Sequence, residues 1–467
     1  MSRCLTTLLL IVTSLLLSSC GSGGGTTAEG GIGGSGISMG RVAQVGSVYV
    51  NGTHYNTDNA TFSVDGDNTR TQADITVGMV VRVTGTRDTA TATGVAESVV
   101  YESLLIGPVD IVFNATNSHI GVIGQTVHVN ADTVFESTIP NDTHILETLP
   151  LDAMVEVSGF HNAQTGEILA TRIEHLSSIS NYKVSGIAGD VDPVNTTQFP
   201  IGGLNIEASA VFSSIPIAGT YVAVESSQPP DTSITPNLFT AESIHTLSAG
   251  TVAADGDLVE IEGVITGGLD SNDLFVVNGQ TVDASLTPLA GETMQLAAGR
   301  IVEVDGVMNS TILLAESIEV EASSSDREEI SALLESGAVD IAASTVTLMG
   351  KTIHITNSTI FEDDHEGSST FALTDLSTGD YLEAKVYDNN GELTATKLEL
   401  DDAPSSHDAE LEGNYGVLDA THIEILGVTI DISGITGFTF SGQRIEVEGN
   451  YDPVSHTLTA TSVGNDD

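Results

Sequence analysis

An eight-residue strand written twice constrains this chain more than any other feature. Residues 299–306 read GRIVEVDG and residues 442–449 read GQRIEVEG. In the first, Val302 and Val304 fall on one face while Glu303 and Asp305 fall on the other, the period-2 pattern of a strand with one buried side. Relatives recur at GMVVRVTG (78–85), DAMVEVSG (152–159), GTYVAVES (219–226) and GDYLEAKV (379–386), giving six copies that start 63 to 80 residues apart. Recurrence at roughly this spacing is the mark of a tandem array of small domains.

Each copy repeats more text than the strand. A hairpin precedes it, at VYVNGTHY (48–55), VIGQTVHV (122–129), PIGGLNIE (200–207), FVVNGQTVD (275–283), TLMGKTIHI (347–355) and EILGVTID (424–431). Asn51-Gly52 and Asn278-Gly279 suit the positive-φ positions of a tight primed turn. Several hairpins are followed by a Thr or Val and a Phe (ATFSV, TVFES, AVFSS, TIFED), read as a plug for the core. A last strand follows, as in GVAESVV (94–100), LLAESIEV (313–320) and LTATKLEL (393–400). A glycine-flanked strand opens each copy, for five strands in roughly 60–75 residues, which suits a small closed or partly open barrel of the OB type. A sandwich of paired copies is the competing arrangement. Thr, Val, Ile and Ser are abundant and 40% of residues are hydrophobic, so the composition suits β structure with buried cores rather than disorder.

The order Gly-Val, V-N-G hairpin, Thr-x-Phe, G-x-x-V-E-V-x-G, A-x-x-I-E resembles the bacterial domain of unknown function 5666. The resemblance covers about residues 37–467, is strongest at 258–322, and is weakest at 181–248, where the strand ends Val224-Glu225-Ser226. It implies tandem OB-like modules in a secreted protein or lipoprotein, and brings no established activity or site. The expected fold is all-β: a tandem array of about six small five-stranded OB-like barrels at 37–103, 104–178, 181–248, 257–322, 327–402 and 408–467. One stretch competes with this register. In SDREEISALLE (325–335), Ser325 and Glu328 match a helix capping box, whereas the repeat calls for a strand, which is the reading adopted.

The first residues, MSRCLTTLLLIVTSLLLSSC, give an address. Arg3 supplies a positive start and Leu5 to Leu17 an apolar run too short for a bilayer span. Leu17-Ser18-Ser19-Cys20 resembles the bacterial lipobox, which implies a signal peptide over 1–19, cleavage, and lipidation of Cys20. Several acyl chains give stable anchoring where one is marginal. Gly21 after the cysteine, where aspartate would signal inner-membrane retention, implies the outer membrane, with the protein facing the periplasm or the cell surface. Residues 20–36 hold the lipidated Cys20 and a Gly-rich tether reaching roughly 20 Å. With Cys4 in the signal and Cys20 lipidated, no disulfide is expected.

Thirteen Lys and Arg stand against 64 Asp and Glu, a formal charge of −51. Such a field excludes the cationic footprint that nucleic-acid binding relies on. The scattered acids read first as a solvated surface and second as a calcium-stabilised or cation-binding array. The runs that suggest calcium are Glu362-Asp363-Asp364-His365-Glu366, Asp65-Gly66-Asp67-Asn68 and Asp190-Val191-Asp192; none has the glycine and glutamate of an EF-hand, and loops or turns explain them. Asp388-Asn389-Asn390-Gly391 reads as a plain turn. Gly36-Ile37-Ser38-Met39-Gly40 matches G-x-S-x-G, but it lies where the tether meets the first strand and no helix follows, so no hydrolase is expected from Ser38. Gly350-Lys351-Thr352 is a hairpin turn in repeat register rather than a phosphate loop. His128 and His354 occupy similar places in two copies, without counterparts in the others. No catalytic residue or cofactor is nominated, and any metal ligands stay unassigned. The expectation is a non-enzymatic, membrane-anchored scaffold or binding array. With no tryptophan and 4% aromatics, sugar stacking is disfavoured, and a protein or other envelope partner is left by elimination.

Overall fold

The computed structural model describes residues 34–114, 118–130, 132–139, 142, 144–209, 215–247, 253–287, 296–320, 328–363, 371–389, 392–437 and 444–465. The fold is all-β, and two single-turn 3-10 segments, Gln72–Asp74 and Leu146–Thr148, are the helical pieces among the described residues. The lipobox and Cys20 lie outside those residues.

The copy containing GRIVEVDG shows the circuit plainly. Leu258–Gly267 pairs antiparallel with Leu274–Val277, which pairs antiparallel with Gln280–Asp283. Gln280–Asp283 runs parallel to Ile312–Val320. Ile312–Val320 pairs with Ile301–Asn309, which returns antiparallel to Leu258–Gly267 and closes the ring. Alternation decides what fills it: Val302 and Val304 turn inward with Val259, Ile261, Phe275, Val282 and Leu313. Closure covers every edge of the ring except the first half of Leu258–Gly267, whose pairing with Leu274–Val277 begins only at Ile265.

The same strand order recurs in six consecutive groups among the described residues, with local breaks; in the third, Gln198–Ile201, Leu204–Glu207 and Asn237–Thr240 form a sheet apart from Tyr182–Ile187 and Tyr221–Ser226. Between 182 and 246 the last strand is split into Asn237–Thr240 and Ser243–Thr246. The opening strands near 328 and 409 are each split in two, at Glu328–Leu333 with Val339–Asp340 and at Ala409–Asn414 with Gly416–Val417. Glu328–Leu333 is the strand that the repeat register required; Ser325 lies outside the described residues.

Two details depart from the sequence reading. The Thr-x-Phe text is no isolated plug: Thr61–Val64, Val134–Ser137 and Ile360–Asp363 are short additional strands, each parallel to the last strand of its group. AVFSS lies outside the described residues. The first strand begins at Gly34, inside the expected tether, because Gly34–Gly36 pair with Gly85–Arg87.

The repeated glycine and alanine meet at one β-bulge. Gly306 faces Ala315 while Asp305 faces Ser317, so Glu316 is the extra residue on the last strand. Gly85 with Ala96, Gly159 with Ala170 and Gly449 with Ala460 repeat the arrangement. The bulge pushes a carbonyl into the facing strand: a Cβ on Gly85, Gly159 or Gly306 would stand 2.1 Å from the carbonyl oxygen of Val95, Leu169 or Leu314. A threonine hydroxyl then donates to the carbonyl of the bulge alanine, from Thr133 to Ala170 (2.9 Å), Thr287 to Ala315 (2.8 Å) and Thr359 to Ala395 (2.9 Å). Buried carbonyls need such partners. The hairpin turns behave as their sequences imply, with Asn51-Gly52 and Asn278-Gly279 left-handed, and Met349-Gly350 adopting the same turn. Gly350-Lys351-Thr352 therefore belongs to a hairpin.

The barrels do not hang as separate beads. The second and third share one hydrophobic core, in which Leu105, Val157 and Val184 pack with Phe199 and Phe239. The fifth and sixth share another, around Ile330, Leu382, Leu411 and Val447. The first and fourth join edge to edge, with Gly36–Met39 parallel to Leu258–Ile261. A small apolar contact of Val77, Val134 and Ile360 ties the first, second and fifth together.

Candidate functional site

Several of the scarce cations lie at these joints. Arg87, 5% exposed in its side chain, reaches Glu260 and lies 2.5 Å from Asp305, joining the first barrel to the fourth. Ser38 Oγ donates to Glu260 Oε2 (2.7 Å), and Arg41 pairs with Glu262 (2.8 Å). Lys183 of the third barrel bonds Asp65 of the first (2.6 Å) and Glu102 (3.1 Å). Arg172 lies between Glu174 (3.1 Å) and Glu136 (3.6 Å) and donates to the carbonyl of Val77 (3.4 Å). In the fifth barrel, Lys397 holds Glu362 and Glu399, and Lys385 holds Glu329 and Glu383. With positive charge drawn inside, the exterior carries the acidic excess.

Burial is strong enough to move carboxyl groups even beside a cation. Glu260 is pushed up to about 7 by desolvation, which outweighs the attraction of Arg87. Glu156 is likewise pushed up to about 7, first by burial and then by the charge of Asp65; the Tyr101 hydroxyl, which donates to it at 2.8 Å, pulls the other way. The sign follows directly. A carboxyl whose folded pKa lies above its unfolded value of about 4.3 binds more protons in the folded state, so stability falls as pH rises from about 4.5 to 7. Glu156→Gln, which keeps an acceptor for Tyr101, is expected to gain on the order of 2 kcal/mol over the native chain at pH 8 and little at pH 4.5. Urea melts of both proteins across that range check this; a difference that does not vary with pH would refute it.

Where the first four barrels meet, a cleft of about 380 Å³ opens. The first barrel contributes Met39, Val80, Arg82 and Val100; the second Phe160, His161 and Ala163; the third Ile187 and Tyr221; the fourth its Asn278-Gly279 turn. The wall is set by docking: the backbone N–H of Val80 donates to Ser158 Oγ of the next barrel (2.8 Å). The His161 ring lies against Tyr221 with centroids 4.8 Å apart. Burial pulls the His161 pKa down to about 4, so the imidazole is neutral near pH 7, and burial raises the Tyr221 hydroxyl. The cleft is thus mainly apolar, with a neutral aromatic pair able to exchange hydrogen bonds and with Arg82 and Glu102 as its charged groups. Its size is at the lower end of ligand-binding pockets.

The residues singled out in the sequence lie elsewhere. Ser38 is in the middle of a strand, bonded to Glu260, and not at a strained turn. Asp65 accepts from Ser103 and Lys183; Asp67 accepts from Thr69 and Arg70; Asp192 caps the turn at Val194 and Asn195. Glu362 points to Lys397, while 364–366 lie outside the described residues, as do Asn390 and Gly391. His128 pairs with Glu167 (3.3 Å) and His354 ends a hairpin strand; the two are not brought together. Sequence reading missed a group that could hold a metal: Asp142, His144 and His175, whose ligand atoms lie within 4.8 Å of one another. Asp142-x-His144 was visible as a spacing, but His175 joins it only through the parallel pairing of Val134–Ser137 with the last strand.

The family model described as a domain of unknown function (DUF5666) matches residues 39–100, 107–174, 262–319 and 336–399, more than half of the chain. No curated protein matches.

Proposed function

The chain belongs to the DUF5666 family, a tandem set of its domains, and on that premise we propose that it is a non-enzymatic envelope lipoprotein. In this reading it is lipidated on Cys20, held at the outer membrane, and its docked barrels are a scaffold that binds a protein partner. The observation that carries the reading is the cleft walled by four barrels, which exists only while they are docked. The strand circuit supports the OB-type reading of each module, a fold that presents one face to ligands. The acidic exterior favours a partner segment that is cationic around an apolar anchor, since complementary charge speeds encounter and disfavours wrong partners. Among the described residues of the acidic runs, Asp65, Asp192 and Glu362 are engaged by turns and ion pairs.

The test places a photo-crosslinking residue at exposed Ala163 in the cleft, and separately at Val454, 89% exposed on the last barrel, in cells making the full lipoprotein. The expected result is one discrete adduct from position 163, absent from 454 and lost with Cys20→Ala. Identical diffuse adducts from both positions would defeat the reading.

A further inference from the structure

Away from the cleft, the second barrel assembles two imidazoles and a carboxylate. Val134–Ser137 runs parallel to the last strand with Ser137 opposite His175, and the N–H of Thr138 donates to the carbonyl of His175 (2.9 Å). Asp142 is held there by Ser137 Oγ, which donates to its Oδ2 (2.7 Å), and by the N–H of His144, which donates to its Oδ1 (3.1 Å). His144 Nδ1 lies 2.7 Å from Oδ1 and His175 Nδ1 lies 2.5 Å from Oδ2. The rings stand at 88° with centroids 5.9 Å apart. Asp142 and His175 are 6% and 9% exposed in their side chains, and His144 is 40% exposed.

We propose that Asp142, His144 and His175 form a binding site for a divalent transition metal ion, with zinc as the favoured occupant. Both Nδ1 atoms converge on one carboxylate. Each does so either by donating a proton to it or by offering its lone pair to a cation that replaces those protons. Two imidazoles with one carboxylate suit zinc and its neighbours rather than calcium or magnesium, which take oxygen ligands. Metal bonds of about 2.0–2.1 Å in a tetrahedral set would hold neighbouring ligand atoms a little over 3 Å apart. The two imidazole–carboxylate contacts therefore need to open by less than about 1 Å, and ligand atoms as much as 4.8 Å apart need to close by up to about 1.5 Å, a movement that the partly exposed His144 can supply. Its exposed side leaves the fourth position to water. A bound ion would clip Asp142 to the end of the last strand, and binding only the folded state would raise the melting temperature with the logarithm of free metal above the dissociation constant.

The experiment is calorimetric titration and thermal melting of the purified full chain with zinc chloride, repeated with calcium and magnesium at equal concentration. The expected result is one saturable zinc site per chain, above the weak background that an acidic surface gives all three ions. His144→Ala should weaken it by more than the roughly 10–100-fold lost with a merely supporting partner. His128→Ala, which alters a histidine outside the cluster, should leave it unchanged. Cobalt in place of zinc should give visible d–d absorption in the native chain and lose it in His144→Ala. Absence of a saturable site, or equal zinc binding by native and His144→Ala protein, would overturn the proposal. Asp142→Asn adds a second ligand test where it folds; His144→Ala, altering an exposed ring, decides in any case.

Discussion

Arg87→Ala is expected to destabilise the protein by about 3–5 kcal/mol at pH 8, the cost of leaving a buried charge without its partner. The guanidinium faces two carboxylates at once, Glu260 and Asp305, and all three belong to the seam where Gly36–Met39 lies parallel to Leu258–Ile261. Removing it sets two like charges side by side in a poorly solvated place. The effect should shrink on acidification. Burial already holds Glu260 at about 7 with Arg87 present, and without the arginine its carboxyl takes up a proton more readily still. At pH 5 the variant therefore carries a neutral Glu260, and its deficit should be smaller than at pH 8. Replacing Arg87 and its more buried partner together, as Arg87→Met with Glu260→Gln, should recover much of the loss, because the one charge then left, on Asp305, is 23% exposed. Urea melts at the two pH values check this. A loss below about 1 kcal/mol at pH 8 would mean that the group behaves as a solvated surface pair.

Gly306→Ala is expected to cost about 3 kcal/mol, at the upper end of overpacking effects, because its Cβ would stand 2.1 Å from the backbone oxygen of Leu314. A flexible side chain could move aside; a carbonyl fixed in a bulge cannot without shifting the strand. The fifth barrel supplies a natural comparison. There Val386 stands where the first, second, fourth and sixth copies have glycine and the bulge is kept, with the valine fully buried in the shared core. The reverse change, Val386→Gly, should therefore also destabilise, through lost burial and added chain freedom, by about 2–3 kcal/mol. Equilibrium melts of both variants decide. A neutral Gly306→Ala would mean that the repeated glycine is not there for the bulge.

The strands, hairpins and repeat spacing were legible because they rest on short-range rules: alternation in IVEVDG, and left-handed turns at Asn-Gly. The bulge was half legible. Its glycine, alanine and threonine stood out as repeated letters, but why they recur depends on a carbonyl in a neighbouring strand. The joints were not legible. Ser38 and Glu260 are 222 positions apart, and a glutamate on the polar side of a strand reads as a solvated one. The opening strand of the fourth barrel shows the failure: Leu258–Gly267 is buried on both faces through most of its length, where alternation alone predicts one wet side. The first barrel covers the second face. The cleft inherits the same difficulty, since it is made of separate stretches from four barrels, and so does the Asp142–His175 contact, which spans 33 positions.

The amides of Arg41 and Val80 test the docked arrangement most directly. Each donates at 2.8 Å to a side chain of another barrel, Arg41 to Glu262 Oε2 and Val80 to Ser158 Oγ. Hydrogen exchange followed at single-residue resolution on the full chain should find both amides protected to the level of the strand amides around them. If the barrels are independent beads on a string, those two amides will exchange fast while the rings stay protected, and a cleft shared by four barrels will not exist in solution.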